Sequence, residues 1–246
     1  MSKYSLRICH LYPDLLNLYG DRGNILAFTF RAGLRDIETE VVALSMGQPF
    51  EKDQYDIVFF GGGQDAEQNM VRRDLVSVKG PAVREAVEEG RVFLCICGGY
   101  QMMGHYYQEQ NGNKIDCLGA LDIYTEGKKD RFIGNTEYHC DLLVNDPVIY
   151  GFENHSGRTY LGDSVRPLAK VVSGKGNNGE DGTEGAVYKN VIASYSHGSL
   201  LPKNPELTDH ILTLALGRKY GEDFVLEPAD KTFEEIARKE MKSCKK

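Results

Sequence analysis

The segment Val92-Phe93-Leu94-Cys95-Ile96-Cys97-Gly98-Gly99-Tyr100-Gln101 is where the chain first suggests chemistry. Its apolar run lacks polar alternation, as in a strand buried on both faces, and it ends on a cysteine followed by two glycines. A strand that turns sharply into a helix needs small neighbours, and the helix N-terminus stabilises a sulfur anion. Cys97 is thus a candidate nucleophile, with the N–H of Gly98 placed where an oxyanion develops. Cys95 precedes the turn and is expected to pack in the core. A buried structural cysteine would leave the same trace, so Cys97 needs a base. Ile192-Ala193-Ser194-Tyr195-Ser196-His197-Gly198 offers one, because His197 stands just beyond another apolar run. It can serve only if both strands end at the same sheet edge. A third apolar run ends in Phe59-Phe60-Gly61-Gly62-Gly63-Gln64-Asp65. Its glycines either form a plain turn or let backbone amides approach a ligand closely. A metal site is not expected, since Cys95-x-Cys97 has no second pair at ligand spacing.

The elements that must position these residues follow from the pattern of the first half. Ser5 to His10, Glu38 to Leu44, Asp56 to Phe60 and Val92 to Ile96 read as strands. Asp21 to Leu34 reads as a helix, with Ile25, Phe28 and Ala32 on one face. Gln64 to Glu89 is helix-compatible, with an interruption expected at Gly80-Pro81. This alternation predicts an α/β fold with a doubly wound, mostly parallel sheet. In the second half, Leu118 to Tyr124, Phe132 to Val144 and Ala186 to Tyr195 read as strands, and glycine-rich Ser173 to Gly185 as a loop or hairpin tip. Pro205 to Tyr220 reads as a helix and Lys231 to Lys246 as a charged, helical tail. There Phe233, Ile236, Ala237 and Met241 form an apolar stripe, suited to packing on its own domain or on a partner.

The 246 residues carry a formal net charge of −7, with 29 Lys and Arg against 36 Asp and Glu. No basic stripe is available to wrap a phosphate backbone, which argues against nucleic acid. The N-terminus has no secretion-type apolar core, and the apolar runs are too short to span a bilayer. The six cysteines are therefore expected as reduced thiols of a cytoplasmic protein.

Taken in order, Gly-Gly-Gly after one strand, Cys-Gly-Gly-x-Gln at an elbow and a late His resemble the class I glutamine amidotransferases. That resemblance implies a flavodoxin-like α/β domain, with a mostly parallel central sheet flanked by helices, over residues 1–228, followed by the tail 229–246. It implies hydrolysis of L-glutamine to glutamate and ammonia through a Cys97 thioester, with His197 moving the proton and the amides of Gly62 and Gly98 forming the oxyanion hole. The commonest family pattern has an acid two residues after the His, but Ser199 stands there. This points to the cobyric acid synthase-like branch and leaves a third triad member unidentified. Within that branch, four segments are similar to the small glutaminase subunits of lipid II isoglutaminyl synthase. They are Asn17-Leu18-Tyr19-Gly20-Asp21-Arg22-Gly23-Asn24, Asp122-Ile123-Tyr124-Thr125-Glu126, Gly151-Phe152-Glu153-Asn154-His155-Ser156-Gly157-Arg158-Thr159 and Gly174-x-Gly176-Asn177-Asn178. By that similarity Arg131 would hold the substrate glutamine, together with Gln101.

No phosphate-binding loop is present, yet making an amide from a carboxylate needs activation. The resemblance supplies the answer in a Mur ligase-like, ATP-dependent partner, MurT. This partner would form a heterodimer with the chain, hold ATP and Mg, and amidate the α-carboxyl of D-isoglutamate in lipid II. Two other readings compete. One is a glutaminase serving a cobyrinate-type acceptor, whose ATP domain usually shares the chain. The other is a catalytically silent regulatory module, which would have no need of Cys97, His197 and the glycines together.

Overall fold

The computed structural model describes residues 3–18, 21–63 and 65–243. The chain opens with strand β1 (Tyr4–Leu11), helix α1 (Arg22–Gly33), β2 (Ile37–Leu44) and β3 (Ile57–Phe60). Helices α2 (Asp65–Asp74) and α3 (Gly80–Glu88) follow, then β4 (Val92–Ile96) and the short α4 (Gly98–Met102). The apolar runs read as buried strands are strands, and β3 and β4 are buried at every position. The expected break at Gly80-Pro81 is instead a π-helical turn over Leu75–Lys79 that joins α2 to α3. Pro81 lacks an N–H to donate, and the widened turn just ahead of it lets the helix continue.

A second set of strands comes next: β5 (Tyr106–Gln108), β6 (Lys114–Asp116), β7 (Ile123–His139), β8 (Val148–Leu161), β9 (Ala169–Ser173) and β10 (Thr183–Glu184). The chain then returns to the first sheet with β11 (Ala186–Tyr188) and β12 (Val191–Ser194), and crosses back with β13 (Ser196–His197). Helices α5 (Pro205–Tyr220) and α6 (Thr232–Ser243) finish the fold. Three sequence expectations change here. Leu118 to Leu121 is loop, the strand from Phe132 stops at His139, and β8 lies in a segment whose mixed polarity gave no strand signal.

The first sheet has the order β11-β12-β4-β3-β1-β2. Its strands pair in parallel, except for the antiparallel edge strand β11. With helices against it, this is the expected α/β architecture with a mostly parallel central sheet. Parallel strands end at one edge, so the segments after β1, β3, β4 and β12 meet there, the usual ligand edge of such a sheet. The second sheet is built on the long β7–β8 hairpin, whose register slips between Gly127 and Phe132. Strand β13 pairs with β8, Ser196 opposite Glu153 and His197 opposite Phe152, so His197 sits where the two sheets join.

Tail helix α6 is held by its polar side. Buried Arg31 of α1 pairs with Glu234, and Arg238 reaches Asp146 and Glu206. Phe233 is 77% exposed and Ile236 51%, and Ala237 is exposed too, so these three residues of the stripe face outward, while the side chain of Met241 lies outside the described residues. Among the described residues no helix is long and apolar enough to cross a membrane.

Candidate active site

Cys97 occupies the turn between β4 and α4 with φ 49° and ψ −102°, outside the regions favoured by L-residues. The strain is held from both sides: its N–H donates to the Ser194 carbonyl at 2.8 Å, and its own carbonyl accepts from Gln101 N at 2.9 Å. The two residues behind it are small because the β3 loop packs onto them. A Cβ on Gly99 would lie 2.4 Å from the Phe60 carbonyl, and one on Gly98 would lie 2.8 Å from Gln68 Nε2. Cys95 stays in the strand with no exposure, and burial pushes its thiol well above the ordinary value. Of the two, only Cys97 lines the cavity. Cys9, Cys117 and Cys140 are also free and buried.

The glycines after β3 form more than a plain turn. A Cβ on Gly61 would meet the Leu16 carbonyl at 2.5 Å, one on Gly62 would meet His197 Cε1 at 2.9 Å, and one on Gly63 would meet Leu16 Cδ2 at 2.4 Å. The loop is squeezed between the segment after β1 and the imidazole. The Gly62 N–H already has a partner, donating to Asp21 Oδ2 at 2.7 Å. The amide of Gly63 instead lies against the elbow, 3.2 Å from where a Gly98 Cβ would stand.

Asp21 is the residue that sequence reasoning passed over. It occupies the N-cap position of α1 but makes no side-chain cap bond to the helix. Its fully buried carboxylate turns into the site, with Oδ1 3.7 Å from His197 Nδ1. Ser199, where the common family pattern has its acid, packs against Gly23 at the start of α1. His197 is 1% exposed. Burial alone lowers an imidazolium's pKa, but the charge of Cys97 and the Asp21 carboxylate outweigh it and raise His197 to about 10. The only sequence hint of Asp21 was its place in the Asn17–Asn24 segment, of which Tyr19 and Gly20 lie outside the described residues.

Cys97, His197, Gln101 and Arg131 all line one cavity of about 520 Å³. Gln101 is buried, and its Nε2 donates to the Tyr195 hydroxyl at 3.1 Å. Arg131 stands on the irregular part of β7, where Nε and Nη2 donate to Asn154 Oδ1 at 3.0 and 2.8 Å. Arg158 supports this bulge by donating to the Asp130 carbonyl at 2.9 Å and stacking over Phe132. His155 forms part of the wall, its ring 3.7 Å from that of Tyr195 and nearly parallel to it. Burial lowers its pKa to about 3, against the opposing bond to the Gly157 carbonyl and with a smaller push from nearby positive charge, so it is neutral at physiological pH.

Residues 7–205 match the CobB/CobQ-like glutamine amidotransferase domain. The chain is 43% identical over 239 residues to the GatD subunit of the glutamine-hydrolysing lipid II isoglutaminyl synthase of Streptococcus pneumoniae, covering 97% of this chain and 89% of that protein. It is 44% identical over 216 residues to the subunit of the same name from Staphylococcus aureus, covering 88% and 86%. A probable cobyric acid synthase of Methanothermobacter thermautotrophicus is 38% identical over 130 residues, but only a quarter of that protein is matched. Among solved structures, a glutamine amidotransferase superposes with TM-score 0.58 over 84% of this chain and 98% of that one, at 19% identity. PurLQS of Thermotoga maritima gives 0.58 over 87% and 99%, at 16%. With this fold, a cysteine on a strained elbow and a paired imidazole, the chain belongs to the CobB/CobQ-like glutamine amidotransferases, as a glutamine-hydrolysing enzyme of the GatD type.

Proposed function

We propose that the chain is the glutaminase subunit of a lipid II isoglutaminyl synthase. In this reading, Cys97 is the nucleophile, His197 the proton carrier and Asp21 the group that orients and charges the imidazole. The supporting observation is that Cys97 and a strongly basic His197 share one cavity with Arg131, in a chain 43% identical to the pneumococcal GatD subunit along nearly its whole length. A guanidinium suits the α-carboxylate of glutamine, and Gln101 lies in the same wall. His197 takes the proton of Cys97, and the resulting thiolate attacks the carboxamide carbon. The Gly98 amide, with that of Gly63 in place of the engaged Gly62, holds the oxyanion. The imidazolium gives its proton to departing ammonia, and the neutral imidazole then takes one from the water that cleaves the thioester.

The ammonia passes to a Mur ligase-like subunit of the MurT kind, which binds ATP and Mg and amidates the D-isoglutamate α-carboxyl of lipid II. The two chains form a cytoplasmic heterodimer. In the test, the chain is incubated with diazo-oxonorleucine, with and without the co-expressed partner, and the labelled peptide is mapped. Label on Cys97 with loss of glutamate release supports the reading. Label on Cys95, or full glutaminase activity in Cys97→Ala, overturns it.

A further inference from the structure

His197 leaves β13 into a turn where Gly198 and Ser199 both have positive φ, 68° and 50°. Lys203 reaches back across this turn from the 3-10 turn Leu201–Lys203. Its Nζ donates to the Gly198 carbonyl at 2.8 Å and to the His197 carbonyl at 3.2 Å. The absent side chain of Gly198 leaves room for this approach, since a Cβ there would stand 3.3 Å from Nζ. The backbone of the proton carrier is thus gripped by an ammonium group that does not itself line the cavity.

Lys203 is fixed from its other end. Arg238 Nε donates to the Lys203 carbonyl at 2.7 Å, and its remaining nitrogens reach Asp146 Oδ2 at 2.5 Å and Glu206 Oε2 at 2.7 Å. Arg238 is 6% exposed, although it belongs to a helix whose Phe233 and Ile236 face solvent. A continuous path therefore runs from the C-terminal helix, through one backbone carbonyl and one side chain, to the main chain of His197.

We propose that Lys203 is a positioning residue for His197, and that α6 holds Lys203 in place through Arg238, so that the C-terminal helix is part of the active-site scaffold. This rests on His197 being the proton carrier. Misplacing a catalytic group by about 1 Å can cost on the order of 100-fold in rate. Pairing of β13 with β8 and the Asp21 contact remain when Lys203 is lost, so the expected loss is smaller, about tenfold in kcat. An interaction made outside the cavity leaves glutamine binding, and hence KM, within about twofold.

The experiment is steady-state glutaminase kinetics on the full chain with its partner subunit, with folding followed by circular dichroism. Lys203→Met keeps the aliphatic stem and removes the donors, and its kcat should fall about tenfold at unchanged KM. Lys203→Arg, which can still donate to both carbonyls, should recover at least half of the wild-type kcat. Arg238→Gln, which leaves Lys203 itself intact, should lose about threefold in kcat at unchanged KM. If Lys203→Met does not fold, Arg238→Gln decides. A kcat within the error of wild type in whichever of Lys203→Met and Arg238→Gln fold, or a loss confined to KM, overturns the proposal. His197→Asn is run in parallel: retained turnover there refutes the assignment of His197, a separate failure.

Discussion

At the scale of single residues, the site sets one buried imidazole beside the cysteine of the elbow and a buried carboxylate. In the proposed mechanism the raised pKa of His197 lets it take and hold the proton of Cys97. Asp21 supplies part of that effect while its other oxygen accepts from Gly62 N. In Asp21→Asn the amide oxygen can keep the Gly62 bond, so the variant should fold. Its kcat should drop roughly 100-fold because an uncharged neighbour no longer favours the imidazolium; a drop of less than twofold in stopped glutamate assays would remove Asp21 from the mechanism. Arg131→Ala should raise KM for glutamine more than it lowers kcat, and Arg131→Lys should not restore it, since an ammonium lacks the planar fork. An unchanged KM would return Arg131 to an exposed charge. Cys97 and His197 were legible because each follows a buried strand and has a glycine directly behind it. Asp21 was not, since an acid before a helix reads as an ordinary cap and only the fold turns its carboxylate away from that helix.

At the scale of elements, the parallel strands were readable because burial on both faces leaves continuous apolar runs. Strand β8 was not, because it pairs with β7 and β13 while carrying polar residues on both faces. Asn154 and Ser156 line the cavity, and Glu153 accepts from the backbone N–H groups of Lys175 and Gly176. The tail helix shows the same limit. Its apolar stripe suggested the buried face, yet the buried contacts are ionic and involve Arg31 at 2% exposure with Asp209 and Glu234. Replacing Phe233 and Ile236 together with Ser should therefore change unfolding free energy by less than about 0.5 kcal/mol. Arg31→Ala, which removes the guanidinium from Glu234 and leaves Asp209 to Arg35 alone, should cost roughly 2 kcal/mol. Urea melts that ranked the two variants the other way round would show that the helix is held by its apolar side.

Over the whole molecule, one sheet edge collects the ends of β1, β3, β4 and β12, and the second sheet adds Tyr107, Arg131 and Asn154 to the cavity wall. Where the two sheets meet, Glu184 is wholly enclosed, accepting from Ser194 Oγ and Tyr195 N on one oxygen. Burial raises its pKa from 4.5 to about 7. A carboxyl that binds its proton more tightly when folded contributes stability fully below about pH 4.5, and that contribution drains away as pH rises through 7. The span corresponds to roughly 3 kcal/mol. The melting temperature should fall between pH 5 and pH 8, and Glu184→Gln should flatten that fall; a slope unchanged in the variant would place the titration elsewhere.

The central claim is that nitrogen released at Cys97 reaches an acceptor activated on another chain. It is tested most directly by supplying the purified pair with ATP, lipid II and glutamine labelled with nitrogen-15 at the amide, in an excess of unlabelled ammonium, and measuring the label in the amidated stem peptide by mass spectrometry. The account predicts near-complete labelling with the intact chain and none with Cys97→Ala. Product that carries mainly unlabelled nitrogen, or label that persists in Cys97→Ala, would contradict it.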